Sequence, residues 1–311
     1  MNIANRSQAS PRPDNICGVV ITYNPDEKLF ERLESLAKQV DEMLLIDNHS
    51  SGSARDIVID AATRHGAHLL VNEENLGIAA ALNQGIRFAI DQGSEWVLTM
   101  DQDTLASPTM IQDLLTAYND CPFRNNVGAV GSNYREWNTG RVLLQNAAGY
   151  DETWIETDRV VTSGTLIPTS IFKEIGQFCE GLFIDGVDIE YCLRLRSRGF
   201  KIIMTTRPCM THSLGNCEVV NFMGIRGGLW HHPPFRNYYI TRNNLLITRR
   251  YLKKQTKWVL RNLAAVGCRL LATILFEDSR PDNIRYISLG IYHALISKSG
   301  RLREETAWRP S

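Results

Sequence analysis

The chain has 311 residues, 43% of them hydrophobic and 22% charged, the composition of a globular protein with length for one large domain or a domain with an appendage. Lysine plus arginine and aspartate plus glutamate balance at 34 each, so bulk charge gives no support to a nucleic-acid partner. The seven cysteines are scattered, odd in number and free of C-x-x-C pairs, which speaks against a disulfide framework or a zinc site and fits a reducing cytosol.

Residues 1–14 are polar, lack the apolar stretch of a secretory signal and are expected to be disordered. No run of about 20 residues is free of charge, so no membrane-spanning helix is expected. Residues 16–22 (ICGVVIT) form a continuous apolar run of the kind that fills the middle of a parallel sheet. A turn through Asn24 and Pro25 follows, and then a helical pattern carried by Leu29, Leu33, Leu36 and Val40. The unit repeats: a strand over 43–46 ending in Asp47 and Asn48, a helix to about 65, a strand over 67–71, a loop through Asn75 and Gly77, and an Ala-rich helix over 78–90. Alternating strands and helices predict an α/β fold with a parallel sheet, in which ligands bind beyond the carboxyl ends of the strands.

The fourth strand is the one around which the rest is arranged. Residues 95–104 read EWVLTMDQDT, a short apolar run that ends in Asp101 and Asp103. Two carboxylates so placed can reach one hard divalent cation whose other positions are filled by water and phosphate oxygens. Aspartates are also common at plain strand-end turns. The recurrence of Thr22 and Asn24, Asp47 and Asn48, Asn75 and Gly77, and Asp101 and Asp103 after successive strands favours a shared nucleotide site. There is no G-x-G-x-x-G and no G-x-x-x-x-G-K-[ST], so neither a dinucleotide fold nor a P-loop is supported.

Further on, 108–118 reads as a helix, 127–131 as a buried strand, and 142–144 as a candidate antiparallel strand. In 160–168 (VVTSGTLIP), Ser163 and Gly164 mark either close approach of a ligand or a bend. Residues 181–199 (GLFIDGVDIEYCLRLRSRG) become helical from Val187, with Asp185, Asp188 and Glu190 near the helix N-terminus and Arg194, Arg196 and Arg198 expected in solvent. A carboxylate here can cap the helix or act as a general base on a hydroxyl. A strand over 201–206, a turn at Pro208 and His212 follow, and the imidazole can complete the divalent site.

With these pieces in place, the chain resembles the inverting family 2 glycosyltransferases of the GT-A fold, most closely their bacterial rhamnosyltransferase branch. The resemblance rests on ITYN, LLIDNHS, NEENLGIAAALNQGI, TMDQDT, SGTLIP and FIDGVDIEYCLRLRSRGF and covers residues 16–245. It implies a mostly parallel, Rossmann-like sheet flanked by helices, and a D-x-D on Asp101, near ribose and metal, and Asp103, on the metal. His212 is added to that ion, which is Mg²⁺ or Mn²⁺. Thr22, Asn24, Asp47, Asn48, Asn75, Gly77, Asn83, Ser163 and Gly164 are assigned with Asp101 to the nucleotide sugar. The catalytic base falls on Asp188, and because Val187 stands where many members have Glu, Asp185 remains the alternative. The donor implied for this branch is dTDP-L-rhamnose, and the acceptor is a saccharide, lipid-linked, in cell-surface polysaccharide synthesis. Transfer of a hexose or galactofuranose from a UDP donor, and a non-catalytic nucleotide-sugar binding module, are the alternatives.

Residues 15–245 are therefore expected to form the catalytic domain and 246–311 a helical, basic extension. Residues 230–243 (WHHPPFRNYYITRN) offer Trp230, Arg236 and Arg242 for an acceptor or a diphosphate. The adjacent His231 and His232 lack the spacing of a second metal site. From Arg242 to Arg261 there are seven basic residues and no acidic one, alongside Leu252, Val259, Leu263, Val266, Leu270 and Ile274 at helical spacing. That is the pattern of a basic helix on a membrane surface, or of a solvated face. The expected location is the cytoplasm, with peripheral contact at the inner face of the plasma membrane if the helix binds lipid.

Overall fold

The structure, a computed structural model, describes residues 15–137, 139–144, 151–212, 217–222, 225–230, 232–277 and 279–302, with backbone alone for 217–222 and 225–230. The expected disorder of residues 1–14, His231 and the side chain of Trp230 lie outside the described residues.

The first half follows the apolar runs. β1 (Ile16–Thr22) is buried at every position and pairs in parallel with β2 (Glu42–Asp47) on one side and β4 (Trp96–Asp101) on the other. β3 (His68–Val71) adds to β2 as a largely exposed edge strand. The crossovers are α1 (Leu29–Ala37), α2 (Gly52–His65) and α3 (Ile78–Asp91). The order is β3-β2-β1-β4, so the chain reverses direction of travel between β1 and β4 and opens a crevice at their carboxyl ends. Alternate residues of one strand feed opposite cores: Val19 packs with Leu82 and Ile86 of α3, and Val20 with Leu33 and Leu36 of α1.

The second half of the sheet is mixed. β8 (Thr165–Pro168) lies antiparallel between β4 and β6 (Val127–Glu136), and β6 runs parallel to β9 (Lys201–His212). β5 (Leu105–Ala106) and β7 (Trp154–Glu156) pair antiparallel with β9. α4 (Met110–Asp120), α5 (Thr169–Ile175) and α6 (Val187–Ser197) cover the faces. The α/β class is as expected.

Several details depart from expectation. β9 does not end at 206 but runs through Pro208 to His212; the proline pairs with Asn133, where the β6 register shifts, a place that tolerates a missing N–H. Residues 142–144 give only an isolated bridge between Arg135 and Val142. Arg194 is not solvated: its Nη1 donates to the carbonyls of Ile175 and Gln177 at 3.0 and 2.7 Å, and its Nη2 to Glu190 at 2.8 Å.

A hairpin of β10 (Cys217–Phe222) and β11 (Ile225–Trp230) precedes α7 (Pro234–Tyr251), α8 (Thr256–Phe276) and α9 (Arg280–Leu295). α7 runs straight through the expected domain boundary at 245–246, and the expected basic helix over 242–261 is broken between α7 and α8. α8 is long and apolar enough to cross a membrane by length and composition, with 11% of its apolar window buried, although Arg269 interrupts its sequence. No such helix was expected from the sequence.

Candidate active site

The ends of β4 and β9 bring three polar side chains together across 111 residues of chain, from Asp101 to His212. One ligand atom each from Asp101, Asp103 and His212 lie within 4.8 Å of one another. His212 Nδ1 is 2.8 Å from the Thr104 hydroxyl, which fixes the ring, and 3.5 Å from Asp103 Oδ1. That Oδ1 is enclosed and has no hydrogen-bond partner among the described residues. Two carboxylates and one imidazole, with an orphaned carboxylate oxygen turned among them, fit a hard to borderline divalent cation such as Mg²⁺ or Mn²⁺. Burial pushes the Asp101 carboxyl up to about 6; Asp103 and Asp188 add to the rise, and His212 and Arg236 oppose it.

These residues open into a cleft of about 520 Å³ at the carboxyl ends of β1 and β4. Thr22, Asn48, Asn75 and Gly77 line it, as do Asp185, Asp188 and Arg236. The asparagines are tied to one another: Asn48 Nδ2 donates to Asn75 Oδ1 at 3.0 Å, and Asn48 Oδ1 accepts the Leu76 N–H at 3.0 Å. Asn75 Oδ1 also accepts the Gly77 N–H at 2.9 Å, so the loop is shaped before any ligand arrives. A larger hollow of about 1020 Å³ adjoins it between residues 74–80 and 298–302, but the carboxylate and imidazole groups of the triad face the smaller cleft.

The opposing wall is the loop between the 3-10 turn at Glu180–Leu182 and α6. Phe183, Asp185 and Gly186 all have positive φ, +65°, +61° and +80°, which is costly for the first two. The loop is held in that shape from α7. Asn243 Nδ2 lies 2.8, 2.7 and 2.7 Å from the carbonyls of Leu182, Ile184 and Asp185, and Arg236 makes a forked ion pair with Asp185 at 3.0 to 3.3 Å. Asp188, in the first turn of α6, has no such forked ion pair among the described residues; burial raises its carboxyl pKa, with Arg159 opposing the rise.

Not every expected residue reaches the cleft. Asp47 is buried beneath it, bonded by Thr22 and by the amide and hydroxyl of Ser50, and Asn24 Oδ1 accepts the Ser51 N–H at 3.0 Å. Asn83 faces the protein interior, exchanging hydrogen bonds with the Phe178 backbone and donating to Glu180. Ser163 lies under Asp101, whose N–H it accepts at 3.0 Å, and Gly164 is a bend at φ +72° packed on Met210 and Ser132. Arg242 is fully buried, donating to the carbonyls of Gly181, Leu182 and Gly300, so it offers no charge to an acceptor. At Gly77 the close neighbour is Phe183: an added Cβ would meet its ring at 2.5 Å and its carbonyl oxygen at 2.6 Å. Sequence reasoning missed Gln102, whose amide bonds both backbone groups of Tyr23, together with Asn243 and Arg159. The D-Q-D context marks Gln102, but Asn243 has no local signal.

Comparison with known proteins adds four likenesses. The sequence model described as Glycosyl transferase family 2 matches residues 17–176. The dTDP-rhamnosyl transferase RfbF of Shigella flexneri is 29% identical over 290 residues, 90% of this chain and 94% of that protein. The galactofuranosyltransferase GlfT1 of Mycolicibacterium smegmatis is 24% identical over 233 residues, 70% of this chain and 76% of that protein. Among solved structures, the mannosyltransferase PcManGT from Pyrobaculum calidifontis in complex with GDP-Man and Mn²⁺ superposes with a TM-score of 0.53 at 17% identity, over 94% of this chain and 90% of that one. At that identity the last likeness speaks for the fold.

Proposed function

The chain belongs to glycosyltransferase family 2, and from that premise we propose that it moves L-rhamnose from dTDP-L-rhamnose to a hydroxyl of a lipid-linked saccharide, with inversion at the anomeric carbon. The observation that carries this reading is the meeting of the Asp101, Asp103 and His212 triad with Asp188 in one cleft. The extent of the likeness to a dTDP-rhamnosyl transferase supports the choice of sugar. Transfer of galactofuranose from a UDP donor is the second reading, favoured by the likeness to GlfT1.

Asp188 and Asp185 differ in what faces them. Asp185 is engaged by the Arg236 fork, which spends its carboxylate on holding the loop. Burial raises the Asp188 pKa, which strengthens its carboxylate as a proton acceptor. In the reaction, the acceptor oxygen forms a bond to the anomeric carbon, its proton passes to the Asp188 carboxylate, and the bond from that carbon to the dTDP diphosphate breaks with the electron pair leaving on dTDP. A β-linked donor then gives an α-rhamnoside. Asp103, Asp101 and His212 would hold a divalent ion, which when bound would supply Lewis-acid stabilisation of a diphosphate leaving group. The Asn48 and Asn75 loop presents a preformed polar wall to the nucleotide, and Thr104 keeps the His212 ring in place.

The test is incubation of the purified chain with dTDP-L-rhamnose, UDP-galactofuranose or UDP-hexoses, a bacterial glycolipid extract and Mg²⁺ or Mn²⁺. Label passing to the lipid phase from dTDP-L-rhamnose alone is expected; consumption of only a UDP sugar refutes the rhamnosyl assignment.

A further inference from the structure

The outer face of the C-terminal helices has no part in the reaction above. On α8, Lys257, Leu260, Ala264, Cys268, Leu271 and Leu275 follow one another at three- and four-residue steps, and all are exposed. The other face of the helix is fastened to the domain. Val259 and Thr273 are buried, Trp258 packs against the core, and Asn262 Nδ2 donates to Asn244 at 2.7 Å. The neighbouring α9 leaves Ile284, Ile291 and Leu295 exposed along its own outer side, Leu295 at 73% and Leu271 of α8 at 54%. Large aliphatic side chains so concentrated on two consecutive helices are uncommon on a soluble monomer's surface.

Charge says what covers them. From Arg242 to the end of α8 at Phe276 the chain has no acidic residue, while Lys253, Lys254, Lys257 and Arg261 are exposed at the corner between α7 and α8. We propose that α8 and α9 dock the protein on an anionic lipid bilayer, lying in the interface with the aliphatic stripe toward the acyl chains and the corner cations among the head groups. An in-plane placement keeps the inner-face contacts of Val259, Asn262 and Thr273, which a spanning α8 would have to give up. Arg261 lies 3.9 Å from Asp158, but Lys253, Lys254 and Lys257 form no ion pair among the described residues, and such cations beside an apolar stripe complement anionic head groups and repel a second copy of the same patch. This deepens the proposed function at one point only: a lipid-linked acceptor would be met at the surface on which the enzyme rests.

The test is sedimentation of the full chain with vesicles of phosphatidylcholine, alone or with phosphatidylglycerol, at low and high salt. Binding to the anionic vesicles only, weakened by salt, is expected. Lys253→Glu with Lys254→Glu and Lys257→Glu should lower partitioning at least about a hundredfold, and Leu271→Glu with Leu275→Glu should abolish it, both variants keeping the parent's melting temperature and nucleotide affinity. Failure to sediment with either vesicle, or partitioning unchanged in both variants, overturns the proposal. So does resistance to alkaline carbonate extraction, which marks a spanning helix, or a dimer lost on Leu271→Glu without vesicle binding, which marks a second copy. Nucleotide binding is measured without lipid, so the docking and the donor assignments fail independently.

Discussion

Asp185 and Asp188 are three residues apart and have opposite surroundings, one gripped by a guanidinium and one buried without such a partner. Asp188→Asn is therefore expected to lower kcat by about 10²–10⁴-fold while leaving nucleotide affinity within error, as read by calorimetry. Asp185→Asn should act differently, lowering the melting temperature through the stranded Arg236. Asp101 gives a pH prediction. Its pKa is raised from 3.8 to about 6 by burial, so the folded state binds its proton more tightly than the unfolded state. In metal-free buffer the charge destabilises the fold above that value, and the cost disappears as pH falls through it. Asp101→Asn should thus melt higher than the parent at neutral pH, with the gap closing between about pH 6 and pH 4; a gap constant over that window contradicts the assignment. Asp101 and Asp103 were legible because a strand end marks its own polar residues. Asn83 and Arg242 misled because a polar residue at helical spacing does not reveal which way it faces, and both turn inward to satisfy backbone carbonyls.

At the scale of elements, β1, β2 and β4 were legible as continuous apolar runs, and α1 and α3 as their periodic complements. What could not be read was the mixed half of the sheet. β8 reaches both β4 and β6, and Pro208 survives inside β9 because β6 shifts register beside it. Neither fact is local. The same holds for α7, whose importance lies in reaching back some 60 residues to the loop before α6. Asn243→Ala removes the amide donor from the carbonyls of Ile184 and Asp185, each carrying a desolvation cost of about 1–3 kcal/mol when left unmet, while the Leu182 carbonyl keeps its bond from Arg242. The expected outcome is a lower melting temperature and a fall in kcat that exceeds any change in nucleotide affinity. A variant that melts lower but keeps the parent's kcat would reduce α7 to a scaffold. Gly77→Ala combines φ +84° with a Cβ 2.6 Å from the Phe183 carbonyl oxygen, and should destabilise by about 1–3 kcal/mol or more, checked by denaturant titration.

For the whole molecule, the sequence pattern indicated a parallel sheet with ligands at its carboxyl edge, and the reversal between β1 and β4 puts the cleft there. The convergence of His212 with a motif more than a hundred residues earlier is a property of the complete sheet, since β9 must pass β6 and β5 to deliver it. The charges of residues 242–261 predict one basic helix, whereas the fold breaks that stretch between α7 and α8 and turns the aliphatic face of α8 outward. The cleft is proposed as a nucleotide-diphosphate site built on a divalent ion. Calorimetric titration with dTDP, UDP and GDP, each with and without Mg²⁺ or Mn²⁺, tests this directly, with Asp103→Ala as the metal-site control. Metal-dependent binding that favours dTDP and is lost in Asp103→Ala is the predicted result; absence of binding to every nucleotide, with or without metal, would contradict it.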